Sequence, residues 1–327
     1  MISVTAVFRH ARLAAGVFIS ALALGGCASL LFPQSALLRD APPAGLGERV
    51  ELQQVPFFPQ DEYQCGPAAL ATVLAHFGIA VTPGDLVSQV YVPERKGSLQ
   101  VEMLAAARRR GLLSYALAPR FDDLLREIAA GNPVIVLQDL GFGPLERWHY
   151  AVVVGYDLAA GELVLRSGET RRQVLPFGVH EYVWKKSGYW AMVAVPPERI
   201  PATADETRWL AALAAFERSG NLRGARAAYA AFLGRWPDNA HAAIGLANTH
   251  FAAGELKQAE SVLRDVLVRA PDSVVALNNL AQTLSDQGRN TEALVLVERA
   301  AAAPGPFQAA VRETRALILS RIAGKKQ

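Results

Sequence analysis

After residue 205 the chain repeats itself. Gly220, Gly254 and Gly288 stand 34 residues apart, and so do Ala225, Ala259 and Ala293. Pro237 and Pro271 keep the same spacing, while in the third repeat Pro304 and Pro306 fall on either side of the expected place. Self-similarity at this period marks a unit that cannot bury its apolar face alone and stacks on its copies. The glycine suits the turn between two helices, the alanine a close crossing of helices, and the proline the end of the second helix. Trp209, Phe216, Tyr229 and Phe232 fall where side chains pack between the helices. Residues 307–323 read as one more amphipathic helix that caps the stack.

This helix–turn–helix pattern resembles the tetratricopeptide repeat. The resemblance implies that residues 206–327 hold three repeats plus a capping helix, with a concave face that binds a protein partner. A chain of 327 residues has room for a second domain before them, at roughly 150 residues per domain. Apolar residues make up 51% and charged residues 19%, which excludes a disordered chain. The net charge is +3, and the basic runs Arg108-Arg109-Arg110 and Lys185-Lys186 are short. Both read as solvated faces, so no nucleic-acid partner is expected. Two cysteines, Cys27 and Cys65, exclude a disulfide framework and a cysteine-rich zinc site. No metal and no cofactor is expected.

Residues 1–26 have the layout of an export signal. Arg9 and Arg12 form a positive start, and Leu13 to Leu24 is an uncharged apolar stretch. Its 12 residues are too few to span a bilayer, which needs about 20. It ends in Leu24-Gly25-Gly26-Cys27, which resembles the bacterial lipobox. The resemblance implies cleavage before Cys27 and acylation of that residue. Several acyl chains on one residue hold a protein on a membrane stably. Ala28 follows in place of an aspartate, which by the same resemblance favours the periplasmic side of the outer membrane. Residues 27–50, with Pro42-Pro43 and several glycines, read as a tether.

Residues 51–195 alternate helical and strand-like patterns. Ala69, Leu70, Val73, Leu74 and Phe77 share one helical face, and Pro67 fits the first turn. Cys65 then stands at a helix N-terminus, where the partial positive charge is expected to lower its pKa. A nucleophilic thiol needs a base. His10 leaves with the signal, and His76 lies roughly 16 Å along the same helix at 1.5 Å per residue. His241 and His250 belong to the repeats, the latter at an expected core position. His149 opens Trp-His-Tyr-Ala-Val-Val-Val-Gly-Tyr-Asp, a buried strand followed by a turn at 157–161 and a return strand at 162–165. His180 lies in Gly-Val-His-Glu-Tyr-Val-Trp and lacks such a frame. His149 is therefore the expected base.

If Tyr156 faces Glu162 across the hairpin, His149 faces Glu169, with Ser167 diagonal on the same face. Asp157 is roughly 26 Å along the strand at 3.3 Å per residue, too far to serve.

Gln60, then Cys65-Gly66-Pro67-Ala68-Ala69-Leu70, then His149 and its strand resemble the bacteriocin-processing peptidases, papain-like enzymes that cut leader peptides after double glycine. The resemblance covers roughly residues 50–195. It implies an α+β papain-like cysteine peptidase fold, with Cys65 as nucleophile, His149 as base and Gln60 as an oxyanion-hole donor. Gln60 stands five residues before the cysteine, where the family usually has six. The family's orienting aspartate aligns with Ser167-Gly168, so Ser167 or Glu169 is the expected third group.

The expected chain thus has a signal at 1–26, a tether at 27–50, a peptidase domain at 51–195, a linker at 196–205 and repeats at 206–327. The function expected is that of a membrane-anchored cysteine peptidase acting on a peptide or protein. The alternative is a catalytically degenerate scaffold that binds peptides or proteins at the outer membrane. Transfer to an amine in place of water would use the same residues.

Overall fold

The computed structural model describes residues 32–60 and 64–324. Cys27 and the signal lie outside the described residues. The described chain splits into two compact units. The first holds residues up to Arg110, Ser114–Ala194 and Pro201–Thr203. The second holds Gly111–Leu113, Val195–Ile200 and the residues from Ala204 on. The segment 196–205, expected as a linker, is thus divided between them.

In the first unit the order is α1 (Pro33–Asp40), β1 (Arg49–Glu51), α2 (Cys65–His76), α3 (Gly84–Val90), β2 (Tyr91–Val92), β3 (Gly97–Ser98) and α4 (Gln100–Arg109). Then follow β4 (Leu113–Ala116), α5 (Phe121–Ala129), β5 (Val134–Asp139), β6 (Trp148–Asp157), β7 (Glu162–Ser167), β8 (Thr170–Pro176), α6 (Phe177–Trp184) and β9 (Ala191–Val195). The main sheet runs β4-β9-β5-β6-β7-β8, with β1 also paired to β6.

Strand β6 is the spine of this sheet. Its first half pairs with β5, Asp139↔Trp148 to Val134↔Val153. Beyond β5, β1 takes over the same edge, with Glu51↔Gly155 and Arg49↔Asp157. A Cβ on Gly155 would lie 2.7 Å from the Val50 carbonyl oxygen, so glycine is what lets β1 approach. Residues Tyr150 to Tyr156 are all buried, as the run of valines requires of a strand covered on both faces. Helix α2 is buried from Gly66 to Leu74. With Leu70, Val73 and Leu74 fully enclosed, a single Leu→Ala change here would cost about 2–5 kcal/mol.

The expected tether is corrected in two places. Residues 33–40 form α1, and 49–51 pair as β1. Local composition could not show this, because the partner of α1 lies far along the chain. The Glu181 carboxylate, fully buried in α6, accepts from Gln34 N at 3.1 Å, Ser35 N at 2.7 Å and Ser35 Oγ at 2.5 Å. An anion on the first-turn N–H groups satisfies donors that the helix itself leaves open and favours its dipole.

The second unit is all helical: α7 (Glu206–Glu217), α8 (Leu222–Arg235), α9 (Ala240–Ala252), α10 (Leu256–Arg269), α11 (Val274–Asp286), α12 (Asn290–Ala302) and α13 (Gln308–Gly324). Gly220, Gly254 and Gly288 take φ of 87°, 76° and 83°, the left-handed conformation that closes the first helix of each pair. Ala225, Ala259 and Ala293 are fully buried, as are Phe216 and Phe232. Asn239 and Ser273, 34 residues apart, cap α9 and α11 by accepting from Ala242 N and Ala276 N. His250 departs from the expected core position. The turn at Gly254 brings Glu255 back to it, and the two side chains pair at 2.6 Å.

Candidate active site

Three chain segments converge at the first residues of β6. The first brings Cys65. Its thiol sits at the N-terminus of α2, near the backbone N–H groups of Tyr150, Gly66 and Cys65 itself, which favour the thiolate. Tyr150 directly follows His149, so the thiol lies against the same end of β6 that carries the imidazole. Gly66 is what allows this fit. A Cβ there would lie 2.2 Å from Ser98 Oγ and 2.6 Å from Ser98 Cβ. Ser98 is itself held, since Tyr150 Oη donates to its carbonyl at 3.1 Å. Neither Ser98 nor the steric role of Gly66 was visible in the sequence, where nothing links positions 66 and 98.

The second segment brings Ser167, the last residue of β7. His149 Nε2 and Ser167 Oγ are 2.9 Å apart. The register that leads there differs from the expected one. Tyr156 faces Leu163, not Glu162, so the pairing is offset by one residue at the turn. A bulge between Val153 and Gly155 absorbs that residue, and Val153↔Leu165 and Val152↔Arg166 follow. The bulge restores the expected register at the His149 end, and Ser167 reaches the ring diagonally. Glu169 does not reach it. It is exposed in the two-residue turn before β8, and its side chain makes no hydrogen bond or ion pair to another described residue.

The third segment brings Gln60. Its backbone N–H donates to the Gly168 carbonyl at 3.2 Å, which ties it to the residue after Ser167. Residues 61–63 lie outside the described chain, and no hydrogen bond of the Gln60 side chain joins it to Cys65 or His149.

The electrostatics correct one expectation. Burial pushes the Cys65 thiol up from its ordinary value, and the three N–H groups offset that only in part. The helix N-terminus was legible in the sequence, but the depth of the site was not. Burial also pulls the His149 imidazole down to about 4, helped by the Arg147 guanidinium nearby. At neutral pH Cys65 is therefore a thiol and His149 a neutral imidazole. With Nε2 on Ser167, the other ring nitrogen, Nδ1, has no hydrogen-bond partner among the described residues.

His180, set aside in the sequence, is fully buried in α6. Its Nδ1 meets the Gln138 amide at 3.0 Å, and it packs against the rings of Phe121 and Trp184. In the second unit, Asn248, Phe251, Leu263 and Asn279 line a small groove along α9, α10 and α11, with Asn279 donating to Asn248 at 2.9 Å.

Residues 52–192 match the family described as Peptidase_C39 like, and residues 217–276 and 274–303 match tetratricopeptide repeat families. The chain joins a C39-like peptidase domain to tetratricopeptide repeats. The first is the α+β unit and the second the all-helical one. An uncharacterized protein of Methanothermobacter thermautotrophicus is 28% identical over 112 residues, which cover 34% of this chain and 68% of that protein. A putative C39-like peptidase from Bacillus anthracis is 19% identical, with a TM-score of 0.38, over 46% of this chain and 98% of its own. The Sgt2 tetratricopeptide domain from Aspergillus fumigatus is 17% identical, with a TM-score of 0.34, over 37% of this chain and 81% of its own. Tetratricopeptide repeats are a protein-interaction architecture. Among the described residues no helix is long and apolar enough to cross a membrane.

Proposed function

We propose that the protein is a cysteine peptidase anchored to a membrane through acylated Cys27, at the periplasmic side of the outer membrane, with its repeats recruiting a protein partner. One observation carries the peptidase reading. The Cys65 thiol lies near the backbone of Tyr150, the residue next to His149, while Ser167 holds His149 Nε2 and leaves Nδ1 open. Ser167 in this reading is a positioning residue. It accepts the Nε2 proton, which fixes the tautomer whose Nδ1 is the base.

The reaction follows from that tautomer. The Cys65 sulfur attacks a peptide carbonyl as its proton passes to His149 Nδ1, so a C–S bond forms and the carbonyl π pair moves to oxygen. The backbone N–H of Cys65 and the side-chain amide of Gln60 receive this oxyanion. Collapse breaks the C–N bond, and His149 returns the proton to the leaving amine. Water then attacks the thioester with His149 again as base, releasing the acid and the thiol. A neutral starting pair makes proton transfer part of the attack, in place of a preformed ion pair.

The second reading, a binding scaffold without turnover, is favoured by the hydroxyl at position 167, which holds an imidazolium less well than a carboxylate would. The two separate on one experiment. Peptides from a proteome-derived library are incubated with the wild type and with Cys65→Ser, and products are read by mass spectrometry. New termini made only by the wild type support the peptidase, and identical peptide pools favour the scaffold.

A further inference from the structure

With α1 a docked helix, only a short span of sequence separates Cys27 from the first unit. Five residues lead from Cys27 to Phe32, a reach of at most about 18 Å when fully extended. Phe32 lies on the unit's surface. Its ring rests over Gly178 and meets Tyr182 edge-on, with centroids 6.3 Å apart. Glu181 holds the first turn of α1 in place from inside the unit. Acyl chains on Cys27 would therefore bring this particular face to the bilayer.

The face has the chemistry of a membrane interface. Tyr182 and Val179 of α6 and Leu37 of α1 are exposed. Lys185 Nζ lies 5.5 Å from the centre of the Tyr182 ring and 5.8 Å from that of Phe32, and Lys186 Nζ lies 5.0 Å from the Tyr182 ring. Aromatic rings with lysines beside them suit the headgroup layer, where the ring body is apolar and the amine meets phosphate.

Lys186 also ties in a second element. Its Nζ donates to the Gly141 carbonyl at 2.8 Å and pairs with Asp139 at 3.4 Å. Asp139 in turn accepts from Gly141 N and Arg147 N, both at 2.8 Å, which closes the segment between β5 and β6 into a fixed hairpin. Its tip carries Phe142 and Leu145, 87% and 76% exposed. This is a built projection that ends in two large apolar side chains, the shape of an element that enters a lipid surface.

We propose that the face made by α1, α6 and the β5–β6 hairpin docks on the anionic bilayer that holds the acyl chains of Cys27, with Phe142 and Leu145 below the headgroups, Lys185 among the phosphates and Lys186 holding the hairpin in place. The proposal rests on the lipid-anchor reading. It adds that the first unit has one fixed orientation on the membrane, with the start of β6, and so the candidate active site, next to the docked hairpin.

The test uses the full acylated chain in a Cys65→Ser background, reconstituted into vesicles of phosphatidylethanolamine and phosphatidylglycerol. Phe142→Cys and Val179→Cys each carry a nitroxide, and the mass of Cys27 is read in the same samples. Docking predicts that both labels relax more with lipid-dissolved oxygen than with an aqueous nickel chelate. Labels that remain fully open to the chelate, on protein whose Cys27 carries its acyl mass, overturn the docking and leave the anchor standing. Labels that stay in water until a double-glycine leader peptide is added, and are shielded only then, overturn it in favour of a substrate surface. A sample with no acyl mass on Cys27 sinks the anchor reading and the docking with it.

Discussion

The start of β6 and the middle of α6 each hold a histidine, the first half-buried and the second fully buried, in different surroundings. Burial pulls both imidazoles down, His149 to about 4 and His180 to about 3. His180 is sealed among Phe121 and Trp184, and its one polar partner is the Gln138 amide. His149 has one nitrogen held by Ser167 and the other open, at the end of β6 where the Cys65 sulfur lies. A depressed pKa therefore does not mark a base. In the proposed reading the open nitrogen near the thiol does.

The largest effects should fall on one side of this comparison. Cys65→Ser should abolish peptide cleavage, and His149→Ala should lower kcat/KM by about 10²–10⁴-fold. His180→Leu strands the Gln138 amide and should cost about 1–3 kcal/mol of stability in urea denaturation, with kcat/KM nearly unchanged. Equal kinetic losses from the two histidine changes would erase the distinction.

Acid should bring the two regions together. In the unfolded chain both histidines take up protons below about pH 6.5, whereas in the fold they stay neutral until about 4 and 3. The unfolded state then binds more protons, so stability falls as pH drops from about 6.5 toward 4. The slope is about 1.4 kcal/mol per pH unit for each histidine. His180→Leu should remove one proton from that slope. In activity, the acid limb of kcat/KM should lie near pH 4, where His149 gains its proton.

Gly66→Ala should be felt next, since its Cβ would overlap Ser98 and shift the start of α2. A displacement near 1 Å costs about 100-fold in rate. Ser98→Gly should restore part of the loss if the clash is the cause. Ser167→Ala should be milder, about tenfold or less, because it removes one hydrogen bond of about 1 kcal/mol. Ser167→Asp should instead raise the His149 pKa and move the acid limb upward.

The repeats were readable because their contacts recur: the same glycine turn and the same buried alanine stand at 220, 254 and 288 and at 225, 259 and 293. The α2 helix and the β6–β7 hairpin were readable from period and turn residues. The site depends on contacts that occur once. The bulge near Val154 leaves no mark in a run of valines, yet it decides which residue of β7 meets His149. Helix α1 was invisible because Glu181, its cap, lies some 146 residues from Ser35. The direction of the Cys65 shift was misjudged for the same reason. A helix N-terminus is a local feature, and burial is the sum of many distant ones.

The peptidase reading stands or falls on whether His149 acts on Cys65. The second-order rate of Cys65 labelling by an epoxysuccinyl peptide probe at pH 7 measures this directly, compared between the wild type, His149→Ala and His180→Leu. A working pair predicts a steep loss of labelling in His149→Ala and a rate close to wild type in His180→Leu. Labelling that is the same in all three proteins would mean that the thiol reacts unaided, and would contradict the pair.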